Sequence, residues 1–520
     1  MSHKNIPLFI LSTLLIALSL PGCTARAIAE TPPLSHTAET ASPSHTAAPA
    51  QAITCTYYVA PGGDDDDPGS QSAPWATFQH AAETAVSGET VCFSGGTYTL
   101  DEPVHLSTSG NAGAAITFIA LPGATPLLDG GDAISGVLVF DQYTSHVRVS
   151  GFHLRGFTIW GVELSGENRY VQLDHLEIEG GEASIRFTYG ESNESPPSEG
   201  PVEHITLEDS TIHGSMYSAV DCSPGPCNHM VVRRVEIYNT GQQGESFYGS
   251  DGLEFARGYP VLVEDCYVHD NGGDGIDLNS RDREGNATGV IVRRNRVVRN
   301  HLNGIKLWAG GRMENNLIWG QGNSAVWAGT FSSTLEIFNN TVAYNMWDTS
   351  YSERNWAVVV GYPEELVRPP VTLTLVNNIF AFNADPTDGG PTGVYLGAGV
   401  DLSEHHNLYY SRTDGEITAE FVDGRDPDFT RAEIADGTWA SYSSQGQADL
   451  TGDPRFSAGW PAVDLHLQGD SPAAGAGTSS GAPSDDVDGR PRGDPPDLGA
   501  YAGWEATAWV YLPLVLRGAG

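Results

Sequence analysis

Val292-Arg293-Arg294-Asn295-Arg296-Val297, Met313-Glu314-Asn315-Asn316-Leu317-Ile318, Ile337-Phe338-Asn339-Asn340-Thr341-Val342 and Leu375-Val376-Asn377-Asn378-Ile379-Phe380 are four copies of one short template. An apolar residue opens each copy, another closes it, and asparagine stands two places before the close. The apolar frame recurs upstream at Val149 to Leu154, Leu173 to Ile178, Leu207 to Ile212, Val232 to Ile237 and Val263 to Val268. Successive copies begin 21 to 38 residues apart. Self-similarity at such a period marks a solenoid, in which each unit buries its apolar face only against its neighbours. Asn295, Asn316, Asn340 and Asn378, in register, predict a ladder in which each side-chain amide bonds the next along the stack.

A second strand set lies between these copies. Asp251-Gly252-Leu253-Glu254-Phe255, Asp274-Gly275-Ile276-Asp277-Leu278 and Asn303-Gly304-Ile305-Lys306-Leu307 share the order polar, Gly, apolar, X, apolar. In a strand the two apolar residues face one way and X the other. Gly161-Val162-Glu163-Leu164, Ser184-Ile185-Arg186-Phe187, Ala219-Val220-Asp221-Cys222 and Ala325-Val326-Trp327-Ala328 extend the set. The outward column then reads Glu163, Arg186, Asp221, Glu254, Asp277, Lys306, Trp327. Neighbouring strands lie about 4.8 Å apart, which brings Asp251, Asp274 and Asp277 together. Three carboxylates that close repel one another unless one is protonated or a cation lies among them. Outside a cell the expected cation is Ca²⁺, a hard ion that takes oxygen ligands. Asp-Gly also opens strands simply because it favours turns.

The chain has 520 residues, 61 of them Gly, and only 18% are charged, which suits a turn-rich β architecture. A net charge of -39 excludes a nucleic-acid partner and means that an acidic substrate needs a local cation. The only lysines are Lys4 and Lys306. Lysine, unlike arginine, gives up its proton when its surroundings lower its pKa. Paired with Asp277 alone, Lys306 would be a salt bridge and a poor base. A bound cation reverses this by neutralising the acids.

Lys4, the apolar run Ile6 to Leu20 and then Pro21-Gly22-Cys23 describe a secretory leader over residues 1–22. The Leu-x-Gly-Cys ending resembles a bacterial lipobox, which implies lipidation of Cys23 and a secreted or membrane-anchored protein; simple secretion is the alternative. Residues 23–52, rich in Ala, Pro, Ser and Thr, read as a disordered tether. Export permits disulfides. Cys55–Cys92 would tie the first strand to Val91-Cys92-Phe93, and Cys222–Cys227 would close a Pro-Gly-Pro loop, leaving Cys266 as a buried thiol. The sequence leaves other pairings open.

Tyr57-Tyr58-Val59, the acidic loop Asp64 to Asp67, a helical spacing of Trp75, Phe78, Ala82 and Ala85, and Gly95-Gly96-Thr97-Tyr98 resemble the opening of secreted right-handed β-helix proteins. The resemblance implies an all-β, right-handed parallel β-helix with an N-terminal capping helix. Residues 53–130 would form the cap and first coils, and 131–410 the helix with its site. Residues 411–505 would form the last coils and a C-terminal cap, and 506–520 a short apolar tail. The insertions Gly190 to Gly200 and Tyr344 to Pro370 read as loops walling a groove.

The Asp251 to Lys306 region resembles the active region of calcium-dependent pectate lyases of polysaccharide lyase family nine. This resemblance implies Asp251, Asp274 and Asp277 as Ca²⁺ ligands, Lys306 as base, and β-elimination of a 4-linked polyuronate. The family typically has Asp-Asp-Gly where this chain has Gly273-Asp274-Gly275, so one carboxylate is missing. Arg257, Arg281 and Arg312 are candidates for a second uronate carboxylate, with His301 and Trp308 lining the groove. The expected partner is an acidic polysaccharide, the expected state a monomer, and the only membrane contact a lipid on Cys23. The rival expectations are a non-catalytic β-helix that binds surface glycans, or a β-helix lyase, epimerase or hydrolase acting on another polysaccharide.

Overall fold

A computed structural model describes residues 53–503 except 189–199, 242–248, 280–288, 309, 330–332, 347–355, 362–369, 384–392, 398, 412–418, 422–428, 444–445 and 460–461. The leader, Cys23, the tether, the apolar tail and most of both long insertions lie outside the described residues.

Each coil lays down three short strands. One coil has Val261–Glu264, Tyr267–His269 and Ile276–Leu278; the next has Val290–Arg293, Arg296–Val298 and Ile305–Leu307. Corresponding strands pair in parallel, so three strand columns climb the stack as a right-handed parallel β-helix. The two apolar residues of the repeated template belong to different columns. Val263, Val292, Met313, Ile337 and Leu375 pair in the first, and Val268, Val297, Ile318, Val342 and Phe380 in the second. Nearly all of them are fully buried.

The bend between these columns is made by two residues. The first adopts a left-handed conformation, as Asp265, Arg294, Asn315, Asn339, Asn377 and His406 do, with φ between 53° and 62°. The second points inward and is the ladder position. Asn295 donates through Nδ2 to Asn316 Oδ1 at 3.0 Å, Asn316 to Asn340 at 2.9 Å, Asn340 to Asn378 at 3.1 Å and Asn378 to Asn407 at 3.0 Å. The backbone N–H of each donor residue bonds the same acceptor oxygen. Cys266 holds this position one coil before Asn295 and donates its N–H to Asn295 Oδ1 at 2.9 Å. The buried free thiol is thus a ladder residue of an apolar rung.

At the N-terminal end the expected helix forms over Phe78–Thr84, with Thr77 capping it by accepting from the His80 N–H. Phe78 seats on Phe93, Phe118 and Phe152 with centroids 4.6 to 5.3 Å apart, closing the core. Within the acidic loop, Asp65 accepts from the N–H groups of Ala76 and Thr77 and from the Thr77 hydroxyl. It orders the helix start. Both expected disulfides form, Cys55–Cys92 and Cys222–Cys227.

The closing segment also covers a flank of the coil. Its strands Phe456–Ala458 and Asp464–Leu467 pair antiparallel. Phe456, Leu465, Leu467 and Leu498 bury themselves against Val298, Leu317, Trp319 and Ile379 on the outer face of the second column. Arg296 meets Asp488 at 2.6 Å and Arg294 meets Asp485 at 3.4 Å. The segment runs along the flank because the second column is apolar outside as well as inside in these coils: Leu317–Trp319 is buried at all three positions.

Asn316→Ala removes the partner of Asn295, Asn340 and the Val292 carbonyl at one stroke. Each buried group so orphaned costs about 1–3 kcal/mol. Urea unfolding is expected to show a loss of about 3 kcal/mol or more; a loss below about 1 kcal/mol would mean the ladder is not a stabilising element.

Candidate active site

The third column carries the outward residues in the expected register. Glu163 pairs with Arg186, Arg186 with Asp221, Asp221 with Glu254, Glu254 with Asp277, Asp277 with Lys306 and Lys306 with Trp327. Inward neighbours such as Leu253, Phe255, Ile276, Ile305 and Leu307 are buried at 0% exposure and Leu278 at 1%, which locks each outward side chain in place. A slip of one residue would turn the aliphatic set outward.

Asp251 and Asp274 sit at the entry to this column, each followed by a glycine. They meet Asp277 in a cluster whose ligand atoms all lie within 4.8 Å of one another. All three carboxylates are buried. Lys306 Nζ is 2.8 Å from Asp277 Oδ2 and 3.3 Å from Asp274 Oδ2. Asp274 Oδ1 accepts from both the backbone N–H and the Nδ2 of Asn303 at 2.8 Å, and Asp251 Oδ1 accepts from the Asp274 N–H at 2.6 Å. Asp277 Oδ1, by contrast, is buried with no hydrogen-bond partner. A cluster of three carboxylates with one such orphaned oxygen fits a hard divalent cation.

Burial, and then the charges of Asp274, Asp277 and Glu254, push the Asp251 carboxyl well above the usual range. Burial raises Asp277 to about 7, with Lys306 opposing the rise and Asp274 adding to it. Burial lowers the Lys306 pKa, but attraction to Asp274 and Asp277 outweighs it, and the net shift is upward. Without a cation the lysine is held as an ammonium, the pairing anticipated from Asp277 alone. Two coils before Asp277 in the column, burial and then Glu254 raise Asp221 to about 6.

Gly273 has a structural cause. A Cβ there would lie 2.3 Å from Asp251 Oδ1 and 2.9 Å from the Ser250 carbonyl carbon. The Asp251 carboxylate occupies the space that a side chain at 273 would need. A side chain at 273 would require the Asp251 carboxylate and the Ser250 backbone to shift from their present places.

The candidate arginines are scattered. Arg257 ends Leu253–Arg257, on the site's column. Arg281 lies outside the described residues. Arg312 belongs to Gly311–Glu314, in the first column, where it bonds Glu314 and the Gly481 carbonyl and covers the Phe338 ring. It does not reach the acids, because residues of the first column are turned away from the third.

A second ladder, unforeseen in the sequence, supports the site. Asn271, Asn300, Gln321, Asn345 and Asn383 bond in series at 2.9 to 3.1 Å, at the bend before the third column and through Asn345 Oδ1 on the Gln321 N–H at 3.0 Å. Each lies five residues after a first-ladder position, a spacing visible in the sequence. Asp274 and Asn303 follow three residues behind their ladder residues, so the second ladder sets where the acids start.

Comparison with known proteins agrees with this architecture. A family model described as Pel9A-like, right handed beta helix region, matches residues 57–195, and one described as right handed beta helix region matches residues 160–342. Pectate lyase PEL9 of Emericella nidulans is 37% identical over 78 residues, 15% of this chain and 19% of that protein. The uncharacterized protein YwoF of Bacillus subtilis is 29% identical over 155 residues, 26% of this chain and 30% of that protein. The chain thus matches less than a third of the length of either curated relative. The crystal structure of pectate lyase Pel9A is similar over 87% of this chain and 97% of that one, at 17% identity and a TM-score of 0.47. The chain is a right-handed parallel β-helix. Its particular resemblance is to the Pel9A fold, and the Pel9A-like match ends before the acidic cluster begins.

A carboxyl whose folded pKa lies above its unfolded value of about 4 binds more protons folded than unfolded. Stability from Asp277 is therefore greatest below about pH 4 and declines as pH rises towards 7. In chelator, urea unfolding is expected to show a smaller loss between about pH 5 and about pH 8 for Asp277→Asn than for the wild type. Equal losses would remove Asp277 as a source of the pH dependence.

Proposed function

We propose that the chain is an exported polysaccharide lyase that cleaves a 4-linked polyuronate by β-elimination, with Asp251, Asp274 and Asp277 holding Ca²⁺ and Lys306 as base. The observation that carries this reading is Lys306 itself: the only lysine beyond the leader stands in register with Asp277 amid three buried carboxylates. The β-helix resemblance and the disulfides, which suit an oxidising compartment, support it.

Bound Ca²⁺ would supply charge neutralisation, both of the aspartates and of a uronate carboxylate, making the proton on C5 more acidic. The protein's own groups do the rest. Asn303 fixes the Asp274 carboxylate through two donors. Lys306, one rung beyond Asp277, reaches outward on a strand whose flanking residues are locked in the core. Once the acids are occupied, its ammonium loses the partners that raise its pKa, and the neutral amine takes the C5 proton. The C4–O4 bond breaks, a C4–C5 double bond forms, and the departing oxygen takes up a proton. Arg257, on the same column, is the remaining described candidate for a second uronate carboxylate.

One observation favours the rival reading, a β-helix that binds surface glycans without cleaving them: Lys306 is ion-paired as the structure stands. Product analysis separates the two. The wild type is expected to release 4,5-unsaturated uronates from pectate or a related polyuronate, detected by ultraviolet absorbance, and to lose activity in chelator. Lys306→Ala is expected to reduce kcat by about 10²–10⁴-fold. Unchanged turnover in that variant would take Lys306 out of the mechanism, and binding without unsaturated product would establish the rival.

A chelated wild type is also expected to gain stability on addition of Ca²⁺. The gain is about 2.7 kcal/mol at a hundred times the dissociation constant. Asp274→Asn is expected to abolish most of it in a thermal-shift titration; an equal gain in that variant would place any Ca²⁺ elsewhere.

A further inference from the structure

Val220, Leu253, Ile276, Ile305 and Val326 pair in turn along the third column, which puts Ser218, Asp251, Asp274, Asn303 and Ser324, each two residues earlier, at one place on successive coils. All five are short side chains that carry oxygen, and two of them belong to the acidic cluster. The rung after Asp274 is Asn303, which is 3% exposed. Its backbone carbonyl accepts the Gly275 N–H at 2.9 Å, tying it to the coil of Asp274.

The two ends of the Asn303 amide are treated differently. Nδ2 donates to Asp274 Oδ1 at 2.8 Å, beside the Asn303 backbone N–H on the same oxygen. A carboxylate accepts and does not donate, so this contact settles which end of the amide is nitrogen. The other end, Oδ1, is buried with no hydrogen-bond partner. Asp277 Oδ1, inside the cluster, is in the same condition. Buried acceptors without a donor are costly, and the ammonium of Lys306 goes instead to Asp274 Oδ2 and Asp277 Oδ2. The bonds that join the two ends of an amide are about 1.2 and 1.3 Å long, so Asn303 Oδ1 lies within ~5 Å of Asp274 Oδ1. Oxygens held by one Ca²⁺ at about 2.3–2.6 Å are themselves up to about 5 Å apart. Asn303 Oδ1 and Asp274 are thus near enough to share an ion.

We propose that Asn303 is a fourth ligand residue of the cation among Asp251, Asp274 and Asp277, bound through its side-chain carbonyl oxygen. This ligand rests on the calcium site of the lyase reading and adds to it a residue outside the three acids. Ca²⁺ takes about six to eight oxygens, amide carbonyls among them, so three aspartates leave places to fill. Gly273 fills none of them. An amide oxygen adds a ligand atom without adding negative charge. The ion gains a contact, and Lys306 gains no further carboxylate to hold its proton. Nδ2 meanwhile anchors Asp274, so one side chain binds the ion at one end and orients another ligand with the other.

The test strips the full-length protein with chelator and loads it with one equivalent of Tb³⁺, a Ca²⁺ substitute whose luminescence lifetimes in H₂O and D₂O count the waters on the ion. Asn303→Ala is expected to show about one bound water more than the wild type, because water fills the vacated place. Asn303→Asp keeps an oxygen there and is expected to keep the wild-type count. Calorimetry with Ca²⁺ alone is expected to show a loss of about tenfold in affinity for Asn303→Ala. A residue that only positions Asp274 would weaken binding as well, so the water count decides. Both variants lose the Nδ2 donor to Asp274, and a mere positioning role therefore predicts the same count in both. Equal counts in Asn303→Ala and Asn303→Asp overturn the proposal. Thermal unfolding in chelator checks folding; should Asn303→Ala unfold, Asn303→Ser, too short to reach the ion, takes its place. If the counts differ as expected and the wild type releases no unsaturated uronate, the ligand stands and the lyase reading falls. If Asp274→Asn binds Tb³⁺ as well as the wild type does, the calcium site and this ligand fall together.

Discussion

The coils are held to one another by amides. Backbone pairing alone fixes the spacing of the strands, but it leaves the bends free to slide. At both bends that flank the second column a left-handed residue is followed by an inward Asn or Gln that bonds the next one along the stack. Buried amides in a hydrocarbon core are costly unless both donor and acceptor are used. Here the Nδ2 of most first-ladder residues also reaches a backbone carbonyl of an adjacent coil, as Asn316 does with Val292 and Asn378 with Ile337. Any shift of one coil on another would leave several such groups unpaired. The ladder is therefore a register device, and the site depends on register.

That dependence is most direct at the second ladder. Asn271 and Asn300 each stand three residues before a polar-Gly pair, Asp274-Gly275 and Asn303-Gly304, so the amide stack fixes where the third column begins. From there the period of two decides everything: Asp277 and Lys306 face out because Ile276, Leu278, Ile305 and Leu307 face in. The closing segment adds a different kind of restraint, covering the outer face of the second column with apolar side chains and ion pairs. The third column's outer face is left to the acids, the lysine and Trp327.

Much of this was legible in the sequence, for identifiable reasons. The first ladder and the outward column follow from spacing, because a strand leaves no choice of face once its apolar partners are known. The helix follows from local spacing and its capping role from the β-helix resemblance, while the two disulfides are among the pairings the sequence left open. The second ladder was hidden by its mixed composition: Gln321 replaces Asn in one rung, and no strict apolar frame brackets it. The flank-covering role of residues 456–501 was hidden because it depends on which face of a distant strand is apolar, as at Leu317–Trp319. Arg312 looked close to the site in chain order, yet one bend of the coil is enough to turn a side chain onto another column.

Gly273 carries the comparison with the lyases furthest. Read as a sequence, it is a lost ligand, and a site with one acid fewer binds a divalent cation less tightly. The structure changes what the loss means. Asp251 Oδ1 stands 2.3 Å from where a Cβ at 273 would be, so a side chain there would displace the carboxylate that now accepts the Asp274 N–H. Three carboxylates and one ammonium leave less negative charge than four carboxylates with the same lysine. That weakens the hold on a cation. It also weakens the field that keeps Lys306 protonated, since each buried carboxylate nearby raises the lysine pKa. The substitution thus trades metal affinity against the ease of freeing the amine, and both consequences follow from a single missing Cβ.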